Sequence, residues 1–136
     1  MQDPYINTNA IVDRLIDEYN RYGKLIVAYD FDGTVFDFHA QGTKYPRVIK
    51  LLQSLKPYAK FIVYSASNSV RYPFIREYLE DNNIPFNTIN SPIKNVNVPN
   101  GYKLYYNILL DDRAGLGQAV EALEIFLDII KKSPSK

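Results

Sequence analysis

Leu25-Ile26-Val27-Ala28-Tyr29-Asp30-Phe31-Asp32-Gly33-Thr34 is the stretch on which the reading of this chain turns. Its first five residues form an unbroken apolar run with β-branched members, the pattern of a strand buried on both faces. Two carboxylates separated by one residue follow, and then a Gly that permits a sharp turn. A second acidic pair, Asp111-Asp112, follows another apolar run, Asn107-Ile108-Leu109-Leu110. Carboxylates gathered at two strand ends make a site for a hard cation, and such sites suit phosphate chemistry.

Working outward, the chain alternates helix and strand patterns. Ile11, Val12, Leu15, Ile16, Tyr19 and Tyr22 recur at helical spacing behind the capping residues Asn7-Thr8-Asn9, and Gly23 is the stop. Thr34 to Tyr45 reads as an irregular loop or small hairpin. Pro46 opens a helix with Val48, Ile49, Leu51, Leu52 and Leu55 inward, and Pro57 ends it. Phe61 to Tyr64 reads as a second strand leading into Ser65-Ala66-Ser67-Asn68. A helix over Arg71 to Asp81, a short strand over Phe86 to Ile89, an Asn- and Pro-rich loop over Asn90 to Gly101, a strand over Tyr105 to Leu110 and a helix over Gln118 to Lys131 complete the pattern. Such alternation predicts an α/β fold: a mostly parallel sheet with right-handed crossovers and helices on both faces. Ligands bind beyond the carboxyl ends of the strands in such sheets, and Asp30, Ser65 and Asp111 all fall there.

The 136 residues suffice for one core, so a single domain is expected over 1–136, with 132–136 as a mobile tail. Apolar residues make up 46% and charged residues 23%, and the net charge of +1 predicts no general attraction to polyanions. The absence of Cys excludes disulfides, thiolate metal sites and Cys nucleophiles. Without a signal pattern or a span-length apolar run, the expected location is the cytoplasm, away from membranes.

The rim residues have natural roles in phosphate chemistry. Mg²⁺ is held by a few carboxylate oxygens, here from Asp30 and the pair at 111–112, with waters and a substrate phosphate. Asp30, at the strand tip, is the natural nucleophile. Asp32 is placed to protonate the leaving oxygen and then activate water, and its carbonyl can reach the metal. Ser65 offers a hydroxyl to phosphate oxygens, and Lys103, just before the fourth strand, is the candidate cation, with Lys94 as the fallback. Phe36, Phe38, His39 and Tyr45 lie on the loop beside the entrance, where they can stack on a ring. Arg47, Arg71 and Arg76 read as helix-surface charges, and Arg113 as structural support for the acidic pair.

In order and strand context these residues resemble the haloacid dehalogenase-like (HAD) phosphatases. Asp30-Phe31-Asp32-Gly33-Thr34 resembles the first motif, Ser65 the second, Lys103 the third and Asp111-Asp112 the fourth. The resemblance covers roughly residues 24 to 130. It implies a Rossmann-like three-layer sandwich with strand order 3-2-1-4, Mg²⁺ dependence and an aspartyl-phosphate on Asp30. It also implies Asp32 as acid/base, Ser65, Lys103, Gly33 and Thr34 around the phosphate, and Asp30, Asp32, Asp111 and Asp112 at the metal. Neither interval where such proteins carry a cap has room for one, so the resemblance is to a capless member. The expected substrate is phosphorylated: a nucleotide, a nucleic-acid end or a small metabolite. A non-catalytic HAD-like phosphate-binding or scaffold module is the alternative. A plain hairpin at Asp32-Gly33 explains neither Ser65 nor Asp111-Asp112. A calcium loop fails because its closing position is Gln41, and a receiver domain would place its acidic pair early.

Overall fold

The computed structural model describes residue 3, residues 5–94, residue 101 and residues 103–133. Helix α1 spans Thr8–Tyr22. Asn7 caps it, its Oδ1 accepting from the Ala10 N–H at 3.1 Å, and Gly23 ends it in the left-handed conformation at φ 82°. Strand β1, Leu25–Tyr29, is buried at every position. Helix α2, Pro46–Leu55, begins with its proline in the first turn, where no N–H is missed. Strand β2 is Ala59–Val63, helix α3 is Tyr72–Asp81, strand β3 is Thr88–Ile89, strand β4 is Ile108–Leu110 and helix α4 is Leu116–Lys132. The sheet has the order β3-β2-β1-β4 and every pairing is parallel, a Rossmann-like α/β fold. Among the described residues no helix is long and apolar enough to cross a membrane.

Strands β3 and β4 are shorter than the apolar runs predict, and asparagines extend the ladders beyond them. The Asn87 N–H donates to the Phe61 carbonyl while its Oδ1 accepts from the Phe61 N–H at 2.7 Å. Asn107 does the same with Ile26, its Oδ1 accepting at 2.6 Å. Asn90 donates to the Val63 carbonyl and accepts from the Ser65 N–H at 2.8 Å. Each side chain supplies the acceptor that a further strand residue would have supplied.

One face of the sheet carries the main core. Leu25, Val27 and Tyr29 of β1 join Phe61 and Val63 of β2 there, with Leu15 of α1, Leu52 of α2, Ile75 and Leu79 of α3 and Phe126 of α4. The opposite face, Ile26, Ala28 and Ile62, is covered by Ile93 and Leu104, Tyr105 and Tyr106. The second helical layer expected from the sequence is therefore, among the described residues, an irregular segment. Handedness explains its side: β1→β2 and β2→β3 step one way across the sheet, whereas β3→β4 steps back past β1, so its crossover lies on the other face. Composition explains its form, since Asn- and Pro-rich sequence does not sustain a helix. Residues 95–100 and Tyr102 of that loop lie outside the described residues. So do residues 134–136 of the expected tail, while Lys132 closes α4.

The role of the asparagines is directly testable. Asn107 is buried and also donates to Glu18 Oε1 at 2.8 Å. Asn107→Ala leaves the Ile26 N–H unpaired and is expected to cost about 1–3 kcal/mol in urea unfolding. Asp17→Ala, which removes an exposed ion pair to Arg21, is expected to change stability by less than about 1 kcal/mol.

Candidate active site

The register of two strands builds the centre of the site. Tyr29 pairs with Leu110 across β1 and β4, and the Asp30 N–H donates to the Leu110 carbonyl at 2.8 Å. The next residues along, Asp30 and Asp111, therefore emerge side by side. This is the point where the strand order reverses, the usual crevice of an open α/β sheet. Asp30, Asp111 and Asp112 each bring a carboxylate oxygen within 4.8 Å of the other two. Burial, then the Asp111 charge, then a hydrogen bond and charge from Asp112 push the Asp30 carboxyl up to about 7. Three carboxylates this close repel one another unless a proton or a cation lies between them, and an all-oxygen donor set suits Mg²⁺.

The turn after β1 is fitted to this cluster. Gly33 has φ 80°, and a Cβ there would lie 2.7 Å from Asp112 Oδ2. Thr34 is fully buried. Its hydroxyl faces Asp30 Oδ2 at 3.5 Å and accepts from the Asp112 N–H at 3.2 Å. Expected beside the phosphate, the Thr34 side chain instead ties the first acidic motif to the last. Asp111 Oδ1 accepts from the Arg113 N–H at 2.9 Å, which fixes the second turn.

An open cleft of about 540 Å³ receives these groups, lined by Asp30, Asp32, Ser65, Asp111, Asp112 and Arg113. Ser65 Oγ accepts from the Ser67 N–H at 3.1 Å, which leaves its own O–H to donate. Asn90 holds the Ser65 backbone on both sides, through its N–H and its carbonyl. Of the loop aromatics, Phe38 and His39 line the cleft, together with Tyr64. Phe36 instead stacks on buried Phe31, 5.1 Å between centroids, and Tyr45 precedes α2 away from the cleft lining. Lys103 does not line the cleft either. Its ammonium lies 5.8 Å from the ring of Tyr106, which neighbours the ring of Tyr64. Lys94 is exposed and also outside the lining.

Asp32 departs most from expectation. Its carboxylate is not part of the acidic cluster. Both oxygens accept from Arg71, Nη1 to Oδ2 at 2.5 Å and Nη2 to Oδ1 at 2.8 Å. Arg71, read from sequence as a helix-surface charge, sits on a 3-10 turn, Ser69–Arg71, that precedes α3 and turns it toward the rim. Its one sequence signal is its place shortly after the Ser65 loop. Arg113, expected to be structural support for the acidic pair, lines the cleft and makes no ion pair among the described residues.

No protein-family model and no curated protein matches the chain. The fold is similar to that of a solved structure, a conserved protein from Bacteroides thetaiotaomicron. The TM-score is 0.59 at 21% identity, with 82% of this chain and 93% of that one covered. At that identity the likeness shows the shared fold.

Two outcomes test the cluster. Gly33→Ala forces the side chain of Asp112 aside and strains a left-handed turn, so it is expected to destabilise the fold by about 1–3 kcal/mol and to weaken Mg²⁺ binding measured by calorimetry. Stability should also follow the Asp30 proton. With its carboxyl raised from 3.8 to about 7, the folded protein holds a proton that the unfolded chain releases. In chelator, the melting temperature is therefore expected to fall as pH rises from about 4 through about 7. Asp30→Asn should flatten that slope, and Mg²⁺ should raise the melting temperature more at pH 8 than at pH 5.

Proposed function

We propose that the protein is a Mg²⁺-dependent phosphomonoester hydrolase of the capless HAD-like type. The observation that carries this reading is the convergence of Asp30, Asp111 and Asp112 at the switch point, with Ser65 and Asp32 on the same cleft. Asp30, Asp111 and Asp112 would hold the cation, which supplies positive charge to the phosphate oxygens and to the ionised form of Asp30. Asp30 attacks phosphorus and forms an aspartyl-phosphate as the P–O bond to the leaving group breaks. Asp32 gives its proton to the departing oxygen, then takes one from the water that cleaves the intermediate. The Ser65 hydroxyl donates to a phosphate oxygen. Arg113, on the lining, supplies further positive charge.

The cleft also supports a substrate class. Phe38 and Tyr64 line it and are 56% and 40% exposed, so two apolar ring faces stand in solvent next to the phosphate site. A nucleotide or nucleic-acid end fits such surfaces better than a sugar phosphate, because each base stacked on an aromatic ring gains about 1–3 kcal/mol. A protein of this class needs no membrane and no cofactor beyond the cation.

A phosphatase screen with Mg²⁺ tests both levels, using nucleotides, 3′- and 5′-phosphorylated oligonucleotides, ribose 5-phosphate and p-nitrophenyl phosphate. Asp30→Asn is expected to abolish turnover with the fold intact, and metal-dependent turnover surviving that change would falsify the mechanism. Tyr64→Ala is expected to lower kcat/KM about tenfold on nucleotides and to leave ribose 5-phosphate unaffected. A protein that binds vanadate or tungstate yet turns over none of the panel is a phosphate-binding module.

A further inference from the structure

We propose that Asn90 is a positioning residue of the phosphate site: it clamps Ser65 so that the Ser65 hydroxyl and the Ala66 N–H both meet phosphate oxygens. The proposal rests on the hydrolase reading above, which makes this rim a phosphate site. Asn90 follows strand β3, and its N–H continues the ladder to the Val63 carbonyl. Its side chain then takes both backbone groups of Ser65. Oδ1 accepts from the Ser65 N–H at 2.8 Å, and Nδ2 donates to the Ser65 carbonyl at 2.7 Å. Nδ2 also donates to Tyr72 Oη at 2.9 Å, at the start of α3. Both amide hydrogens are therefore in use, and a flipped amide would lose all three bonds. The backbone of Asn90 is left-handed at φ 52°, a conformation that Asn tolerates better than most residues.

The clamp acts through the two peptide planes that flank Ser65. Holding its N–H and its carbonyl fixes both planes, and with them the direction of its side chain. Ser65 Oγ is then seated by the Ser67 N–H at 3.1 Å, with its own O–H left to donate. In a planar trans peptide the N–H points opposite to the carbonyl. The Ser65 carbonyl points to Asn90, so the Ala66 N–H of the same peptide points away from Asn90. Ser65 and Ala66 line the cleft and Asn90 does not, so Asn90 acts through them and not on the substrate. Among the described residues the Ala66 N–H has no acceptor, unlike the N–H groups of Ser65 and Ser67 on either side. Aspartate cannot replace Asn90. It keeps an acceptor for the Ser65 N–H but sets a carboxylate oxygen against the Ser65 carbonyl, which turns away and takes the Ala66 N–H with it.

Tungstate, as a phosphate mimic, and p-nitrophenyl phosphate are the probes, with Mg²⁺ present. Asn90→Asp is expected to raise the tungstate Kd roughly tenfold by calorimetry, and to lower kcat/KM on p-nitrophenyl phosphate by a similar factor. Mg²⁺ affinity should change by less than about twofold. Asn90→Gly keeps the left-handed backbone and removes the side chain. It should behave alike, and serves if the aspartate variant does not fold. Asn107→Ala removes the matching side-chain bond to the ladder at the other ends of the strands, and should leave the tungstate Kd within about twofold. Ser65→Ala combined with Asn90→Asp should weaken tungstate by less than the product of the two single losses, since one residue acts through the other. An unchanged tungstate Kd in the Asn90 variants, a matching loss of Mg²⁺ affinity, an equal loss in Asn107→Ala, or full additivity with Ser65→Ala would each overturn the proposal. Wild-type protein that neither binds tungstate nor turns over p-nitrophenyl phosphate would remove the hydrolase reading and this proposal together. Tungstate binding without turnover would remove the hydrolase reading alone, and the Asn90 variants would still decide this proposal by their tungstate Kd. Wild-type turnover with an unchanged tungstate Kd in those variants would remove this proposal alone.

Discussion

The pairing of Tyr29 with Leu110 is the constraint on which the rest depends. Two parallel strands ending level with each other deliver their next residues to the same place, and here both are aspartates. At an effective dielectric near 20, two unit charges 4 Å apart repel by about 4 kcal/mol, and Asp112 adds a third. The surrounding structure keeps these groups together. Gly33 leaves room for Asp112, Thr34 bridges the turn after β1 to the Asp112 backbone, and the Arg113 N–H holds Asp111. Each contact opposes the separation that repulsion favours.

The parts of this arrangement legible in the sequence are those encoded by neighbours along the chain. A five-residue apolar run followed by Asp30, and the run ending at Leu110 followed by Asp111, locate both strand tips without tertiary information. The caps at Asn7 and Gly23 and the start at Pro46 are equally local. The misses share a different cause. Arg71 meets Asp32 across thirty-nine positions, and only the 3-10 turn ahead of α3 decides which way it faces. Tyr105 and Tyr106 look like strand residues by composition. They cover the loop face of the sheet instead, while Asn107 takes up the ladder with its side chain. Among the described residues the helical outer layer expected there is loop, in keeping with the Asn- and Pro-rich composition of its crossover.

That asymmetry bears on access to the site. Among the described residues, helices α1 to α4 all contribute buried residues to the core on one face of the sheet. The cleft at the strand tips is bordered by loops: the segment with Phe38 and His39, and Tyr64, whose ring approaches Tyr106 of the loop-covered face. Lys103 lies on that same face, its ammonium against the Tyr106 ring. The face that among the described residues is covered by loop thus brings the Tyr64 and Tyr106 rings together at the edge of the cleft.

Charge balance joins these features. Arg71 is held at the rim with both of its arms on Asp32, and it does not line the cleft. Of the residues lining the cleft, Arg113 alone carries an unpaired permanent positive charge among those described. A phosphate monoester dianion approaching Asp30, Asp111 and Asp112 brings negative charge to negative charge, and one guanidinium cannot offset both. The chain's net charge of +1 adds no general field to help. On the proposed reading, hydrolysis at Asp30 would call for a divalent cation among the three carboxylates, and the raised Asp30 carboxyl lies where such a cation would relieve the crowding of charge.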